Sequence, residues 1–173
     1  ISNCIFKNNN AKGNKGALAF EDMHIDSVRI VNTTFQSNTR SAILIMQCTG
    51  SGLAIDSCHF KQNDAVDYNG GAFALASSPK LTDISITRTE FKGNKAKNGG
   101  AIIIEGDKSS IDLIRDCSFA NNKATTTGNF LALGGAIMNY GIIKAIASSQ
   151  FIGNEAEEYG PDVYADAVSK TVI

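Results

Sequence analysis

The 173-residue chain lacks the features that mark several common protein classes. Its net charge is −1 with only 19% charged residues, so no basic face predicts binding to nucleic acid or to an anionic membrane. No apolar run approaches the length of a membrane span. No segment has the sustained 3.6-residue apolar period of a helix. Motifs of zinc proteases, α/β-hydrolases and phosphate-binding loops are also missing. What the sequence has instead is an internal repeat.

The repeat has the form Phe-x-x-Asn-x-Ala, a short polar turn, then Gly-Gly-Ala and an apolar residue. An intact copy runs from Phe91 to Ile102. The Ala follows every Asn of the repeat except Asn38. The Phe-x-x-Asn part occurs six times, at Phe6/Asn9, Phe35/Asn38, Phe60/Asn63, Phe91/Asn94, Phe119/Asn122 and Phe151/Asn154. By subtraction, successive Phe residues are 29, 25, 31, 28 and 32 positions apart, and such a period indicates stacked supersecondary units.

Two further positions repeat in the same register. The residue five places before each Phe is always isoleucine, and the residue two places before it is always small: Ile1, Ile30, Ile55, Ile86, Ile114 and Ile146, then Cys4, Thr33, Cys58, Thr89, Cys117 and Ser149. After the glycines, apolar residues alternate with period two, which indicates a strand. We therefore predict at least two short strands per unit, one after the glycines and one through the Ile-x-x-small-x-Phe segment.

Identical strands one repeat apart point the same way and can only pair in parallel. The predicted fold is all-β: a right-handed, pectate-lyase-like parallel β-helix of about six coils, forming one domain over residues 1–173. Because Ile1 already occupies the isoleucine register and no polar cap precedes it, we expect a fragment of a longer solenoid. The Phe and Ile registers should stack in the core, and the Asn amides should point inward. The glycines should sit where φ is positive or where coils approach closely.

Several individual residues carry their own predictions. Cys4, Cys58 and Cys117 occupy alternate coils about 9.6 Å apart, which is too far for disulfides, so they should be small buried fillers. Cys48 lies in another register and is a candidate for exposure. Arg88 and Asp116 share a register that predicts an ion pair. We place the single glycosylation motif at Asn32 within a strand and attribute it to chance. Phe130 and Leu131 should fold back over the coil.

The combination of Phe-x-x-Asn-x-Ala with Gly-Gly-Ala-Ile resembles the repeat of the chlamydial polymorphic membrane proteins, and similar repeats occur in other large surface proteins. The resemblance covers nearly the whole chain. Phe91 to Asn94, followed by Gly99 to Ile102, is the most complete copy, and the unit at Phe35 is the poorest. The resemblance implies an extracellular or cell-surface passenger domain, often an adhesin that is exported through an autotransporter barrel.

Three classes of function remain open at this point. The variable turns of an adhesin-like scaffold would bind a protein or glycan receptor, whereas a structural spacer would pack against neighbouring subunits, with Phe130-Leu131 and Tyr159/Tyr164 as apolar contacts. A carbohydrate-active enzyme needs clustered carboxylates, but Glu21 and Glu105 are about 14 Å apart by strand spacing. His24 and His59 lie in different registers, and we expect His59 to be an exposed strand residue and not a ligand. We expect no catalytic residue and no cofactor. A Ca²⁺ site is an alternative to a solvated acidic turn at Glu155, Glu157, Glu158 and Asp162.

Overall fold

The polypeptide winds in repeated circuits, and each circuit passes through the same series of short strands. The computed structural model describes residues 1–13, 16–126, 131–166 and 170–171. These residues form 25 β-strands, numbered along the chain, and no helix. Every pairing between these strands is parallel. The predicted all-β parallel β-helix is confirmed.

Five sheets run along the β-helix, and three of them contain six strands each. The Phe sheet, which carries the repeated phenylalanines, consists of β1 (Ile5–Lys7), β5 (Thr34–Gln36), β8 (His59–Lys61), β12 (Glu90–Lys92), β17 (Ser118–Ala120) and β22 (Gln150–Ile152). The Gly sheet, which follows the glycines, consists of β2 (Leu18–Glu21), β6 (Ile43–Met46), β10 (Phe73–Ala76), β14 (Ile102–Glu105), β19 (Ile137–Asn139) and β24 (Val163–Ala165).

Three other sheets complete the circuit. The Ile sheet lies between the Gly and Phe sheets and consists of β3 (His24–Ile25), β4 (Val28–Val31), β7 (Thr49–Asp56), β11 (Lys80–Thr87), β16 (Leu113–Arg115) and β21 (Ile146–Ala147). The Ala sheet follows the Phe sheet and consists of β9 (Asp64–Ala65), β13 (Lys95–Ala96), β18 (Lys123–Ala124) and β23 (Glu155–Ala156). A short sheet consists of β15 (Ser110–Ile111), β20 (Ile142–Ile143) and β25 (Lys170–Thr171).

From the second unit on, the segment from Ile to Phe forms two strands, and the prediction of a single strand there was wrong. In the second unit, β4 ends at Val31 and β5 begins at Thr34. Between them the chain turns a corner at Asn32, whose φ is 49°. The Ile and Phe registers therefore belong to different sheets. Asn32 lies in this corner and not in a strand.

The predicted apolar registers fill the interior. The six phenylalanine rings stack with centroids 4.7–5.0 Å apart and ring planes within 8° of parallel. This spacing is the distance between neighbouring strands, so the ring stack follows directly from the strand register. Ile30, Ile55, Ile86 and Ile114 are fully buried and Ile146 is 6% exposed, but Ile1 in the first coil is 44% exposed, so the prediction was wrong there. Each buried side chain of this size contributes about 1.5–3 kcal/mol.

The asparagines of the repeat form a continuous hydrogen-bonded ladder at the corner between the Phe and Ala sheets. Asn94 Nδ2 donates to Asn122 Oδ1 at 3.0 Å and to the Phe60 carbonyl at 3.0 Å, and Asn94 Oδ1 accepts from Asn63 N and Nδ2. Matching side-chain bonds join Asn9 to Asn38, Asn38 to Asn63, and Asn122 to Asn154. The predicted inward amide is confirmed, because it satisfies backbone groups where the chain leaves one sheet for the next.

The small residues before each Phe form a second ladder at the corner between the Ile and Phe sheets. Thr89 Oγ1 donates to the Thr87 carbonyl at 2.8 Å and accepts from the Cys58 backbone N–H at 3.3 Å. Cys4 N–H donates to Thr33 Oγ1, and Cys117 N–H donates to Ser149 Oγ. These positions therefore need a small side chain that also forms hydrogen bonds, which is more than the filler role predicted from size.

All four cysteines are free thiols. Cys58 and Cys117 are buried as predicted, and burial raises the pKa of the Cys117 thiol to about 11. The prediction for Cys48 was wrong: it is 1% exposed, and its backbone N–H donates to Ser78 Oγ in a corner ladder like the one above. The prediction of a buried filler was wrong for Cys4, which is exposed because the first coil has a neighbouring coil on one side only.

The two glycines of each Gly-Gly pair have different roles, both of which the sequence predicted. Gly99 has a φ of +59°, in the left-handed region that glycine adopts without strain. Gly100 lies against the next coil, where an added Cβ would be 2.2 Å from the carbonyl oxygen of Gly135. One glycine therefore turns the chain, and the other allows the coils to stack at strand spacing.

Candidate functional site: a groove on the outer face of the Gly sheet

The outer face of the Gly sheet is apolar, unlike the outer face of the Phe sheet. Outward positions of the Phe sheet hold polar residues such as His59 and Glu90. On the Gly sheet the corresponding side chains form a second apolar cluster outside the main core, consisting of Leu44, Ala74, Ile103, Leu133 and Met138, with Met46, Tyr140 and Tyr164 packed against it. Turns that return from the Ala sheet cover part of this cluster.

A groove of about 220 Å³ opens in the middle of this face. Apolar side chains from three neighbouring strands form its floor: Leu44, Met46, Ala74, Ala76 and Ile103. Polar side chains, mostly from the variable turns, form its rim: Arg40, Ser41, Asp67, Tyr68, Asn69, Lys97 and Glu105. The structure therefore brings the turns of the second, third and fourth coils to one place, although they are far apart in sequence.

Contacts between the turns hold the rim in position. The Arg40 guanidinium stacks on the Tyr68 ring, with its central carbon 3.4 Å from the ring centroid. Asn69 Nδ2 donates to Glu105 Oε1, and Asn69 Oδ1 accepts from Asn98 Nδ2 at 3.1 Å. Ser41 Oγ donates to the Asn69 carbonyl at 3.1 Å. A stacked cation and a connected amide network give the rim a defined shape before any ligand binds.

Two exposed apolar side chains lie on the turns that lead into the Gly sheet in the fifth and sixth coils. Leu131 is 55% exposed and Tyr159 is 61% exposed. The backbones of Leu133 and Tyr159 form a parallel β-bridge between the two coils. The prediction that this loop folds back was wrong for Leu131, and Phe130 lies outside the described residues. Tyr164 is half-buried in an edge contact with Tyr140. Burial and neighbouring acidic groups raise the pKa of Tyr140.

The acidic turn of the sixth coil does not gather its carboxylates around one point. Glu155 bonds to Lys123 at 3.0 Å, and Asp162 accepts from Asn154 Nδ2 at 3.0 Å. Glu157 accepts from the Thr125 hydroxyl and the Thr126 N–H, and these bonds lower its pKa. No group of three His, Cys, Asp or Glu side chains with metal-binding geometry occurs among the described residues.

The other titratable residues singled out in the sequence are dispersed. Glu21 and Glu105 share one register of the Gly sheet, with Met46 and Ala76 on the two strands between them. His24 contacts Asp26 at 3.0 Å on the outside of the helix. His59 is an exposed strand residue, as predicted, and contacts Glu90 at 3.1 Å. The structure does not bring these four side chains together.

On the outer faces, two carboxylates have pKa values lowered by their hydrogen-bonded and charged partners. Arg88 contacts Asp56 at 2.6 Å, so the predicted pairing with Asp116 was wrong. Burial opposes ionisation of Asp56, but hydrogen bonds from Thr87 and Arg88 outweigh it and lower its pKa. Burial likewise opposes ionisation of Glu90, but hydrogen bonds from Lys61 and His59 lower its pKa below the usual value. Both carboxylates therefore stabilise the fold near neutral pH.

The groove was missed in the sequence, although a signal for it was present. Strands β6, β10 and β14 have the sequences ILIM, FALA and IIIE, which are nearly continuous apolar runs. Such runs indicate strands that are covered on both faces. The period-two alternation indicates only the inward first and third positions of each strand, so it assigns no role to the outward Leu44 and Ile103.

Comparisons with known proteins place few constraints on identity. No family model matches the sequence, and no solved structure matches it. Over 111 residues the chain is 32% identical to the metabotropic glutamate receptor-like protein R of Dictyostelium discoideum. The match covers 63% of this chain and 6% of that protein. Within the described residues there is no helix with the length and hydrophobicity of a membrane span.

Proposed function

We propose that this β-helix is a non-enzymatic recognition domain of a cell-surface or secreted protein, adhesin-like in its use of turns on a rigid shaft. The observation that carries the proposal is the groove, an apolar floor on the outside of the solenoid under a preorganised polar rim. Apolar surface that faces outward and is edged by polar residues is typical of interaction sites. Its ligand would be a protein or glycan on another surface.

The dimensions of the groove favour an anchoring group over a free small molecule. Sites that enclose drug-sized ligands have volumes of about 300–1,000 Å³, and this groove has about 220 Å³. A single side chain or sugar ring that protrudes from a larger partner would fill it. The exposed Leu131 and Tyr159, on turns of the fifth and sixth coils, would add contact surface for such a partner.

Two sequence similarities support a place at the cell surface. The Phe-x-x-Asn and Gly-Gly-Ala-Ile repeat resembles that of polymorphic membrane proteins, whose β-helical passengers are surface-displayed. The 111-residue similarity is to a segment of a receptor-like protein. Both support an extracellular location, and the first supports an adhesin role.

Filling the groove tests the proposal directly. The chain, immobilised on beads, would be screened against a glycan array and a surface-displayed peptide library. We expect Ala76→Arg, which places a long side chain on the groove floor, to weaken any selected ligand at least tenfold. Ser85→Arg on the outer face of the Ile sheet is the matched control and should keep wild-type affinity. A ligand whose binding is unchanged by Ala76→Arg does not use the groove, and finding no ligand in either screen contradicts the recognition role.

A structural role is the second candidate, and the exposure of Leu131 and Tyr159 favours it. In that case this face packs against neighbouring subunits of an extracellular assembly. Light scattering at several concentrations separates the two functions. A monomer at all concentrations supports recognition of another molecule, whereas an assembly that Leu131→Ser and Tyr159→Ser dissociate supports packing.

A further inference from the structure

The single N-glycosylation motif of the chain, Asn32-Thr33-Thr34, lies at an exposed corner of the β-helix. An acceptor asparagine must be on the surface together with the hydroxyl residue two places later. Asn32 is exposed and lies between the end of β4 and the start of β5. The sequence had placed Asn32 within a strand, where its side chain could be buried. In the corner its side chain is accessible from solvent.

The three residues of the motif divide between the outside and the inside of the fold. Thr33 is fully buried and donates through Oγ1 to the Val31 carbonyl at 2.9 Å. Thr34 begins β5 and precedes the inward Phe35, so its side chain is on the outer face, in register with His59. Asn32 Nδ2 donates to Asn3 Oδ1 at 2.7 Å, which uses one of its two hydrogens. The acceptor amide and the hydroxyl are therefore both on the outer surface.

None of the ladder asparagines is part of a glycosylation motif, because no Ser or Thr stands two places after any of them. Alanine stands two places after five of the six ladder asparagines, as Ala11, Ala65, Ala96, Ala124 and Ala156. Arg40 follows Asn38 at the same distance. A glycan on any ladder asparagine would prevent the coils from closing, because these amides bond to one another in the interior. The chain combines the motif with an asparagine only where the fold leaves that side chain exposed.

We infer that Asn32 is an N-glycan acceptor when the chain passes through a eukaryotic secretory pathway. The donor is a polyprenyl-pyrophosphate-linked oligosaccharide. The bond between Asn32 Nδ2 and the sugar C1 forms as the bond from C1 to the pyrophosphate oxygen breaks, the amide proton is lost to a base, and the lipid pyrophosphate leaves with the electron pair. The inference rests on the proposed extracellular location but not on the groove.

The position of this corner determines which surface a glycan would shield. In the circuit of sheets, the corner at Asn32 is separated from the groove by the Ile sheet in one direction and by the Phe and Ala sheets in the other. A glycan there covers the edges of the Ile and Phe sheets and leaves the groove open. Glycosylation and groove binding are thus compatible on one molecule.

The test is secretion of the chain behind a cleavable signal peptide from insect or mammalian cells, followed by intact-mass measurement before and after peptide-N-glycosidase treatment. We expect one glycan per chain, with enzymatic conversion of asparagine to aspartate mapped to residue 32. Asn32→Gln and Thr34→Ala should each remove it completely, and Thr34→Ser should retain it. Asn3→Gln breaks the same hydrogen bond without touching the motif and should also retain it.

One further variant tests the corner itself. Asp116→Asn places an asparagine before Cys117 and Ser118 at the equivalent exposed corner, where φ is 55°. Modification at both corners supports the geometric argument. Secreted, folded wild type that carries no glycan overturns the inference, whether or not the variant is modified. The groove proposal is judged separately, by ligand binding of Ala76→Arg, so either inference can fail alone.

Discussion

At the scale of single residues, the asparagine ladder shows how one side chain can connect three coils. Asn94 takes part in bonds to Asn63 below, Asn122 above and the Phe60 carbonyl. All of these groups are buried. Leaving a buried donor or acceptor without a partner costs about 1–3 kcal/mol per group, so the ladder should be sensitive to any single interruption.

We expect Asn94→Ala to lower the free energy of unfolding by about 3–5 kcal/mol, because it leaves several buried polar groups of neighbouring coils without partners. Urea denaturation followed by circular dichroism measures the change. Lys95→Ala, at the exposed neighbouring position, is the control and should change stability by less than about 0.5 kcal/mol. Equal free energies of unfolding for the two variants would contradict a stabilising role for the hydrogen bonds of the ladder.

The sequence predicts the inward asparagines, but it does not predict the hydrogen bonds of the Cys, Thr and Ser positions or the ion-pair partner of Arg88. A residue type repeated at one register indicates a common environment, which is why the Asn, Phe and Ile positions were predicted correctly. The Cys, Thr and Ser positions share both small size and a polar atom, and only the corner geometry shows that the atom bonds to backbone. Arg88 had acidic residues available on both neighbouring coils, and its choice of Asp56 over Asp116 depends on side-chain conformation.

At the scale of elements, the corners between the Ile and Phe sheets and between the Phe and Ala sheets use the same pair of positions. A residue with positive φ points outward, and the next residue points inward and bonds to backbone, as in Asn32-Thr33 and Gly93-Asn94. Asparagine occupies the outward position at Asn8 and Asn121. Asn adopts this conformation more readily than other side chains. The corner therefore tolerates exchange between Gly and Asn, whereas the packed glycines after the Ala sheet do not.

We expect Gly100→Ala to destabilise the chain by about 3 kcal/mol, because its Cβ would overlap backbone of the next coil and the stack cannot open locally. The comparison variant is Gly93→Asn, at a corner with no atom closer than 3.6 Å to the added Cβ. It should change stability by less than about 1 kcal/mol. Thermal and urea unfolding of both variants would measure the difference, and a cost at Gly93 equal to that at Gly100 would contradict the separate roles.

The sequence predicted which strands stack but not how many sheets the circuit has. The repeat period shows which residues stack on one another in successive coils. It does not show where the chain turns a corner within a coil. The corners themselves are two-residue turns formed by ordinary residues such as Asn32 and Arg88 at positive φ. Since no glycine or proline marks these corners, the segment from Ile to Phe looked like one strand. The apolar outer face of the Gly sheet was likewise visible only once the covering turns were placed.

At the scale of the whole molecule, stability is distributed along one axis. Each coil contacts only the coils before and after it, as in repeat proteins generally. In the isolated 173-residue chain, Phe35, Phe60, Phe91 and Phe119 are fully buried, while Phe6 and Phe151 remain partly exposed. The coils in the middle are therefore supported on both sides, and the first and last are supported on one.

We expect backbone amides of β8, β12 and β17 to exchange with solvent at least roughly tenfold more slowly than those of β1 and β22, because opening an interior coil breaks contacts on two sides. Hydrogen exchange with mass spectrometry, corrected for intrinsic rates, measures this gradient. Uniform protection along the axis would indicate a single cooperative unit and contradict the nearest-neighbour description.

The parallel stacking of coils also has a mechanical consequence. Every ladder hydrogen bond runs along the axis, so tension applied at the two termini loads the coils one after another, and a coil can peel away while the rest stay folded. A coil of about 28 residues occupies roughly 4.8 Å of the axis when stacked but releases on the order of 90 Å of chain when extended. A surface protein with such a shaft would lengthen about twentyfold, coil by coil, under a pulling force and would dissipate work at each step.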